Sequence, residues 1–307
     1  MNCAAIDIGT NTILLAIAKE ENGIFKEILD LSTIVRLGEG LANTGSLKDV
    51  AQSRTMEAIR DYLSIADSHG VDRLFCVGTA ALREADNSRQ FLSRVRDVFG
   101  LEIEIISARD EAFYTYLSVK EDAKIYAENM AIIDIGGGST EIICGTRHEF
   151  VNYVSFPMGS VRLTDVFVSH DPPQTREIAA AVGYIREHLA KSVYSGSDSL
   201  IGTGGTVTNI ASLILRLHDY DKSIIHGFSI LLTDLEKLIA DLSSVERTVR
   251  MKMIGMEKGR EDIIIQGALI LKEIMTAGSF SSCTVSAAGL RFGLIYEKCR
   301  DFHENPA

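Results

Sequence analysis

Two stretches of the chain place a carboxylate, a glycine and a run of small residues at the end of an apolar strand. Residues 4–18 read AAIDIGTNTILLAIA and residues 131–145 read AIIDIGGGSTEIICG. Each has the form of a hairpin: an apolar strand ending in Asp-Ile-Gly, a tight turn, and a second apolar strand. Such a turn offers backbone N–H groups and hydroxyls to an anion and sets a carboxylate beside it for a cation. Gly9, Thr10, Asn11 and Thr12 in the first turn, and Gly136, Gly137, Gly138 and Ser139 in the second, are therefore candidate phosphate ligands; glycine lets the backbone approach because no Cβ intervenes. Asp7 and Asp134 end the two strands and Glu141 follows the second turn. Their oxygens are candidates for a Mg²⁺ shell, which would also neutralise phosphate. A third glycine-rich segment, LIGTGGT (200–206), reads as a strand running into a helix, so that Gly204 and Gly205 present N–H groups at a positive helix end. Plainer uses stand beside these: tight hairpin turns, carboxylates capping turn amides, and a strand-to-helix turn that needs glycine for geometry alone.

Composition limits what this chemistry can serve. With 31 Lys and Arg against 42 Asp and Glu the net charge is −11. That opposes nucleic-acid binding through a general field, so an anionic ligand must be drawn by local Arg, Lys, N–H groups and a divalent cation in a cleft. Hydrophobic residues at 46% and charged residues at 24% describe a globular chain, and 307 residues favour two domains over one core. Every long apolar run is broken before it could span a bilayer and no basic leader opens the chain, so the expected location is cytoplasmic, without membrane contact. The five cysteines show no CxxC and the seven histidines no paired spacing. Buried reduced thiols, and no zinc, are expected.

The elements that must position these residues alternate. After the first hairpin come a strand near 27–37 and a helix opened by a Ser46–Asp49 capping box and running to Gly70. LFCV (74–77) is a strand, a helix ends at Gly100, and LEIEII (101–106) is a strand, giving β-α-β-α-β. From Met130 the plan repeats: a hairpin, a third strand near 150–156, a helix after Pro172-Pro173, a helix over 207–217, a long helix over 260–276, the strand CTVSAA (283–288) and a final helix. Two similar halves joined near Tyr126 imply a duplication. The basic tract from Arg247 to Arg260 reads as a solvated helical face or as a guide for a polyanion tail.

That plan and those motifs resemble the actin, hexokinase and sugar-kinase superfamily. Within it the chain is similar to the exopolyphosphatase and guanosine pentaphosphatase (Ppx/GppA) family over nearly all its length. The similarity rests on AAIDIGTNT, VRLGEGL (35–41), GTAALREA (78–85), ISARDEA (106–112), IDIGGGSTE (133–141), GSVRLTDVF (159–167), GTGGT (202–206), REDIIIQGALIL (260–271) and VSAAGLRFGLIY (285–296). The resemblance implies an α/β fold of two ribonuclease H-like (actin-like ATPase) domains with a cleft between them: residues 1–125, on which a final helix of about 290–307 packs back, and residues 126–289. It implies water attack on a terminal phosphoryl group with Mg²⁺, Glu111 as the catalytic base and Arg83 as a guanidinium holding phosphate oxygens. A raised pKa would suit Glu111 to this task. Against these roles, Glu111 also fits a first-turn acid behind a Ser107–Asp110 capping box, and Arg83 a surface pair with Glu84 or Asp86.

The implied substrate is inorganic polyphosphate, shortened from its end, with guanosine pentaphosphate (pppGpp) as the alternative. A phosphate- or nucleotide-sensing module with little turnover is the rival of another class. An ATP-dependent kinase fits less well, because the Glu111 motif suits water. Two departures from the family pattern bear on this: Ala287 stands where an Asp is usual and Phe292 where a Glu is usual. A homodimer is common among relatives, although no residues mark an interface. Longer members continue into an α-helical HD-type region whose properties are not carried over.

Overall fold

Each half of the chain opens with the same three-strand meander and then crosses over to add parallel strands. The computed structural model describes residues 1–21, 23–122, 124–125, 127–189 and 197–304; the expected junction at Tyr126 lies outside them. The chain divides into two compact units, Met1–Glu121 with Gly289–Ala307, and Asp122–Ala288.

In the first unit β1 (Asn2–Ile8), β2 (Thr12–Glu21) and β3 (Ile24–Ile34) pair antiparallel. Helices α1 (Leu41–Thr44) and α2 (Asp49–Ser68) lead to β4 (Arg73–Gly78), then α3 (Ala80–Glu84) and α4 (Ser88–Phe99) to β5 (Glu104–Ile105), then α5 (Ala108–Lys120). The sheet order is β3-β2-β1-β4-β5, with β4 and β5 parallel to β1. From Cys3 to Ile8 every residue of β1 is buried, as a central strand covered on both faces requires.

The second unit repeats that order. Its elements are β6 (Asn129–Ile135), β7 (Thr140–Thr146), β8 (Phe150–Phe156), α6 (Ser160–Phe167), α7 (Thr175–Leu189), β9 (Ser199–Thr203) and α8 (Gly204–Leu215). There follow α9 (Lys222–Ile225), β10 (Ser229–Leu231), α10 (Leu232–Ser243), α11 (Arg247–Arg250), α12 (Ile264–Ala277) and β11 (Ser282–Val285). The sheet runs β10-β11-β9-β6-β7-β8. Five adjacent strands, β8-β7-β6-β9-β11, match the order of the first unit, and the short β10, which precedes β11 in the chain, adds an antiparallel edge. Both units thus carry the ribonuclease H-like strand order, and the α/β class expected from the sequence holds.

The closing helix α13 (Leu290–Glu304) packs on α5 within the first unit. The approach is so close that a Cβ on Gly293 would stand 1.8 Å from the Tyr114 carbonyl oxygen. Arg291 grips Asp30 with two 2.7 Å hydrogen bonds, and Phe292, where the family usually has Glu, is 3% exposed. An apolar residue suits that buried position, while the neighbouring Arg291 carries the polar anchorage.

Several expectations need correction. No side chain caps α2: its N-cap is Lys48, because Asn87 ties down the preceding Leu47 through both its backbone N–H and its carbonyl, each at 2.9 Å. Ser107 does cap α5, accepting the Asp110 N–H. The strand expected over 101–106 shrinks to two residues, and the long helix expected from Arg260 begins at Ile264. Cys3 and Cys299 form a disulfide rather than two thiols, the packing of α13 against β1 bringing the two together. Cys76 and Cys283 keep buried thiols, as expected. The tract from Arg247 to Arg260 is not a solvated face. Arg250 and Arg260 are 3% and 4% exposed, and the tract's arginines pair with Glu261, Asp171 and Glu257.

Candidate active site

The two Asp-Ile-Gly turns close identically. Gly9 N–H donates to the Thr12 carbonyl at 3.0 Å, and Gly136 N–H to the Ser139 carbonyl at 3.0 Å. Asp7 and Asp134 each occupy the next-to-last position of a central strand, at the C-terminal edge where open α/β sheets bind ligands.

What each turn can offer follows from which backbone groups are already used. In the first, the Thr10 carbonyl accepts the Gly38 N–H at 2.8 Å, and the Asn11 carbonyl accepts those of Val35 and Arg36. In the second, the Gly136 carbonyl accepts the Ser160 N–H, the Gly137 carbonyl those of Val161 and Arg162, and the Gly138 carbonyl the Arg162 side chain at 3.0 Å. The carbonyls are thus turned into the protein. The N–H groups of Thr10, Asn11, Gly137 and Gly138 donate to no backbone carbonyl among the described residues. This leaves the pattern of an anion nest, with donors open and acceptors occupied. Gly38 and Gly159 make it possible. A Cβ at Gly38 would fall 2.4 Å from Thr10 Cγ2, and one at Gly159 would fall 2.4 Å from the Gly137 carbonyl group.

In the first unit, helices following β4 and β5 bring together the two residues proposed for chemistry. Arg83 Nη1 donates to Glu111 Oε2 at 3.0 Å and to the Ile106 carbonyl at 3.1 Å. The partner is neither Glu84 nor Asp86. Glu111 is 8% exposed, while the cap of α5 is made by Ser107 and Asp110. Glu111 therefore lies in the first turn of a helix without serving as its cap. Asp7, on the neighbouring strand, is 9% exposed; burial and then the Asp7 charge push the Cys76 thiol upward, so Cys76 stays protonated.

In the second unit the register sets Asp134 directly across from Glu141, on one face of the sheet. Glu141 is 1% exposed and accepts the Ser155 hydroxyl at 2.7 Å. Gly204, with φ of +87°, lies against Asp134: a Cβ there would stand 2.6 Å from Asp134 Oδ1. Gly205 is covered by the Arg260 guanidinium, whose Nη2 would be 2.0 Å from a Cβ. The GTGGT turn is thus glycine-bound on both sides, by a carboxylate and by a buried cation. Arg260 stood in the sequence only as one end of a basic tract, and the contact is tertiary. Among the described residues no three His, Cys, Asp or Glu side chains form a metal-holding group. No helix among them is long and apolar enough to cross a membrane.

Comparison with known proteins accords with this architecture. The model of the Ppx/GppA phosphatase family matches residues 16–302. Exopolyphosphatase 2 of Mycobacterium tuberculosis is 32% identical, over 88% of this chain and 89% of its own. The guanosine-5'-triphosphate,3'-diphosphate pyrophosphatase of Aeromonas salmonicida is 28% identical over 98% of this chain and 60% of its own. The crystal structure of the Aquifex aeolicus Ppx/GppA family member superposes with a TM-score of 0.83 at 30% identity, covering 100% of this chain and 99% of that one. The chain belongs to the Ppx/GppA phosphatase family. Its class is that of phosphoanhydride hydrolases.

Proposed function

We propose that this protein is an exopolyphosphatase that removes the terminal phosphoryl group of inorganic polyphosphate and releases orthophosphate. The observation that carries the reading is the repeated turn with carbonyls occupied and N–H groups open. Each turn, with hydroxyls at Thr10 and Thr12 in the first and at Ser139 in the second, suits phosphate oxygens. Gly9 and Gly136 close the turns, and Gly204 and Gly205 add the N-terminus of α8.

In this mechanism Glu111 accepts the proton of the attacking water, whose oxygen bonds to the terminal phosphorus as the bond to the bridging oxygen breaks. The shortened chain leaves with that oxygen. Arg83 has two tasks: its pair with Glu111 fixes the base, and its remaining donors suit phosphate oxygens. Asp7 and Asp134 are hard carboxylates, each at the C-terminal end of its own unit's central strand, a donor type that suits Mg²⁺. Mg²⁺ takes one or two carboxylates and fills its shell with water and phosphate. Bound there it would neutralise phosphate charge. Glu141, held by Ser155, supports that shell from the strand opposite Asp134.

A second reading, removal of the 5′-terminal phosphate of guanosine pentaphosphate, is favoured by the Aeromonas salmonicida relative. A phosphate-release panel with polyphosphate of several lengths, guanosine pentaphosphate and ATP, with and without Mg²⁺, separates them. Release from polyphosphate above the other two is expected. Release from guanosine pentaphosphate alone would reverse the order, and tight binding without release would assign a sensing role.

A further inference from the structure

The chain passes from the first unit to the second after Glu121 and returns after Ala288. One side chain touches both of these crossings from within the second unit. His226, just beyond α9, has Nε2 3.2 Å from Asp122 Oδ2, and its Nδ1 lies 3.3 Å from the Ala287 N–H. Both side chains of the acid–imidazole pair are nearly buried, at 9% for His226 and 13% for Asp122. A backbone N–H can only donate, so Nδ1 is the accepting nitrogen and the ring proton sits on Nε2, where it donates to Asp122. Burial pulls the Asp122 carboxyl upward, but the His226 hydrogen bond and the Lys124 N–H outweigh it and hold the group below its usual range.

The second crossing is in turn stitched to the phosphate-facing turn. Ser286 N–H donates to the Gly202 carbonyl at 2.8 Å, and the Thr203 hydroxyl to the Ala288 carbonyl at 2.6 Å. Thr203 is the N-cap of α8, and the next residue, Gly204, lies against the Asp134 carboxylate. A short series of contacts thus runs from Asp122 through His226, residues 286–288 and Thr203 to Gly204 and Asp134. It passes through the backbone N–H of Ala287, which His226 accepts.

We propose that His226 is a positioning residue: by accepting the Ala287 N–H at Nδ1, with Asp122 fixing the tautomer that leaves Nδ1 the acceptor, it holds residues 286–288, and through them the GTGGT turn beside Asp134. Its effect on turnover rests on the hydrolase reading above, whereas its effect on the turn does not. The two side-chain amides separate its bonds. Asn places an acceptor where Nδ1 stands and keeps the Ala287 contact. Gln places a donor where Nε2 stands and keeps only the Asp122 contact.

The test is hydrogen–deuterium exchange over residues 202–206 in the ligand-free chain, with phosphate release from polyphosphate measured in parallel. His226→Gln and His226→Leu are expected to lower protection there by about tenfold, the scale of one lost buried hydrogen bond. His226→Asn is expected to stay near wild type. The exchange-labile variants should also raise the KM for polyphosphate more than they lower kcat. Unchanged protection in His226→Gln, or equal loss in His226→Asn and His226→Gln, would overturn the proposal. If no variant and no wild-type protein releases phosphate, the hydrolase reading fails while the exchange result still decides the role of His226.

Discussion

Replacing Glu111 by Gln and by Ala separates the catalytic role proposed for it from its structural one. The carboxylate sits 3.0 Å from Arg83 Nη1, with side-chain exposures of 11% for Glu111 and 26% for Arg83. A hydrogen bond to a charged group contributes about 1.5–3 kcal/mol, and the quarter exposure of Arg83 reduces this to roughly 1–2 kcal/mol. Glu111→Ala should therefore lower Tm by roughly 3–8 °C in a unit of this size. Glu111→Gln keeps an amide oxygen that can accept from Arg83, and its Tm should stay within about 2 °C of wild type. Turnover should not follow stability. An amide cannot take a proton from water, so both variants should lose about 10²-fold or more in kcat. In a double-mutant cycle with Arg83→Met, the losses in kcat should be strongly non-additive, because the arginine acts in part by holding the base. Calorimetry and phosphate release, with and without Mg²⁺, supply both axes. A Glu111→Gln enzyme with near-wild-type kcat would remove Glu111 from the chemistry and leave it as a packed ion pair.

Three further outcomes follow from local geometry. Gly159→Ala should reduce kcat/KM by about 10²-fold, because its Cβ would collide with the Gly137 and Gly138 backbone and displace the turn; Gly183→Ala, with nothing within 4 Å, is the control and should be neutral or stabilising. Equal activity in the two variants would detach the second turn from phosphate. His170, the Ser169 hydroxyl and the Gln174 N–H hold Glu177 at a pKa of about 2, against 4.5 ordinarily. Its stabilisation is thus present above pH 4.5 and lost as pH falls through about 2, so the wild-type Tm should drop more steeply over that window than that of Glu177→Gln. Parallel Tm curves would refute it. Finally, Gln266 on α12 is 0% exposed, and neither end of its amide meets a hydrogen-bond partner among the described residues. Gln266→Met should raise stability by about 1 kcal/mol or more in denaturant unfolding, and a loss would show that the amide is satisfied.

The parts of this fold that could be read from the sequence are those whose cause is local. The two Asp-Ile-Gly hairpins, the Ser107 cap and the helix ending at Gly100 each follow from a few adjacent residues, and each is present. Ser46 carries the same capping signal as Ser107 yet makes no cap, because Asn87, 40 residues further on, competes for the chain at Leu47. The basic tract misleads for the same reason: Arg250 finds Asp171, 79 residues away, and becomes buried. Of the candidate site, the residue types and their turns were legible. The pairing of Arg83 with Glu111, the Arg260 guanidinium over Gly205 and the linkage of His226 to two chain crossings were not. Each joins residues from separate elements, and spacing in sequence carries no trace of them.

The duplication also left the two turns unlike in a way that bears on their work. Across β1 and β2, Asp7 faces Leu14; across β6 and β7, the matching Asp134 faces Glu141. One sheet therefore presents a single acid at this level and the other presents two, and two acids directly across from each other are unfavourable unless positive charge lies close by. The turns differ in the complementary sense. The first offers two threonines and an asparagine, with Thr10 and Asn11 nearly buried, whereas the second offers three glycines and one serine. Side chains of fixed rotamer select the shape of a bound group; bare N–H donors beside paired carboxylates select an anion that arrives with its own cation. On the reading proposed above, the first turn, in the same unit as the Arg83–Glu111 pair, would select phosphate oxygens by the shape of its side chains, and the second would favour an anion that carries its own cation.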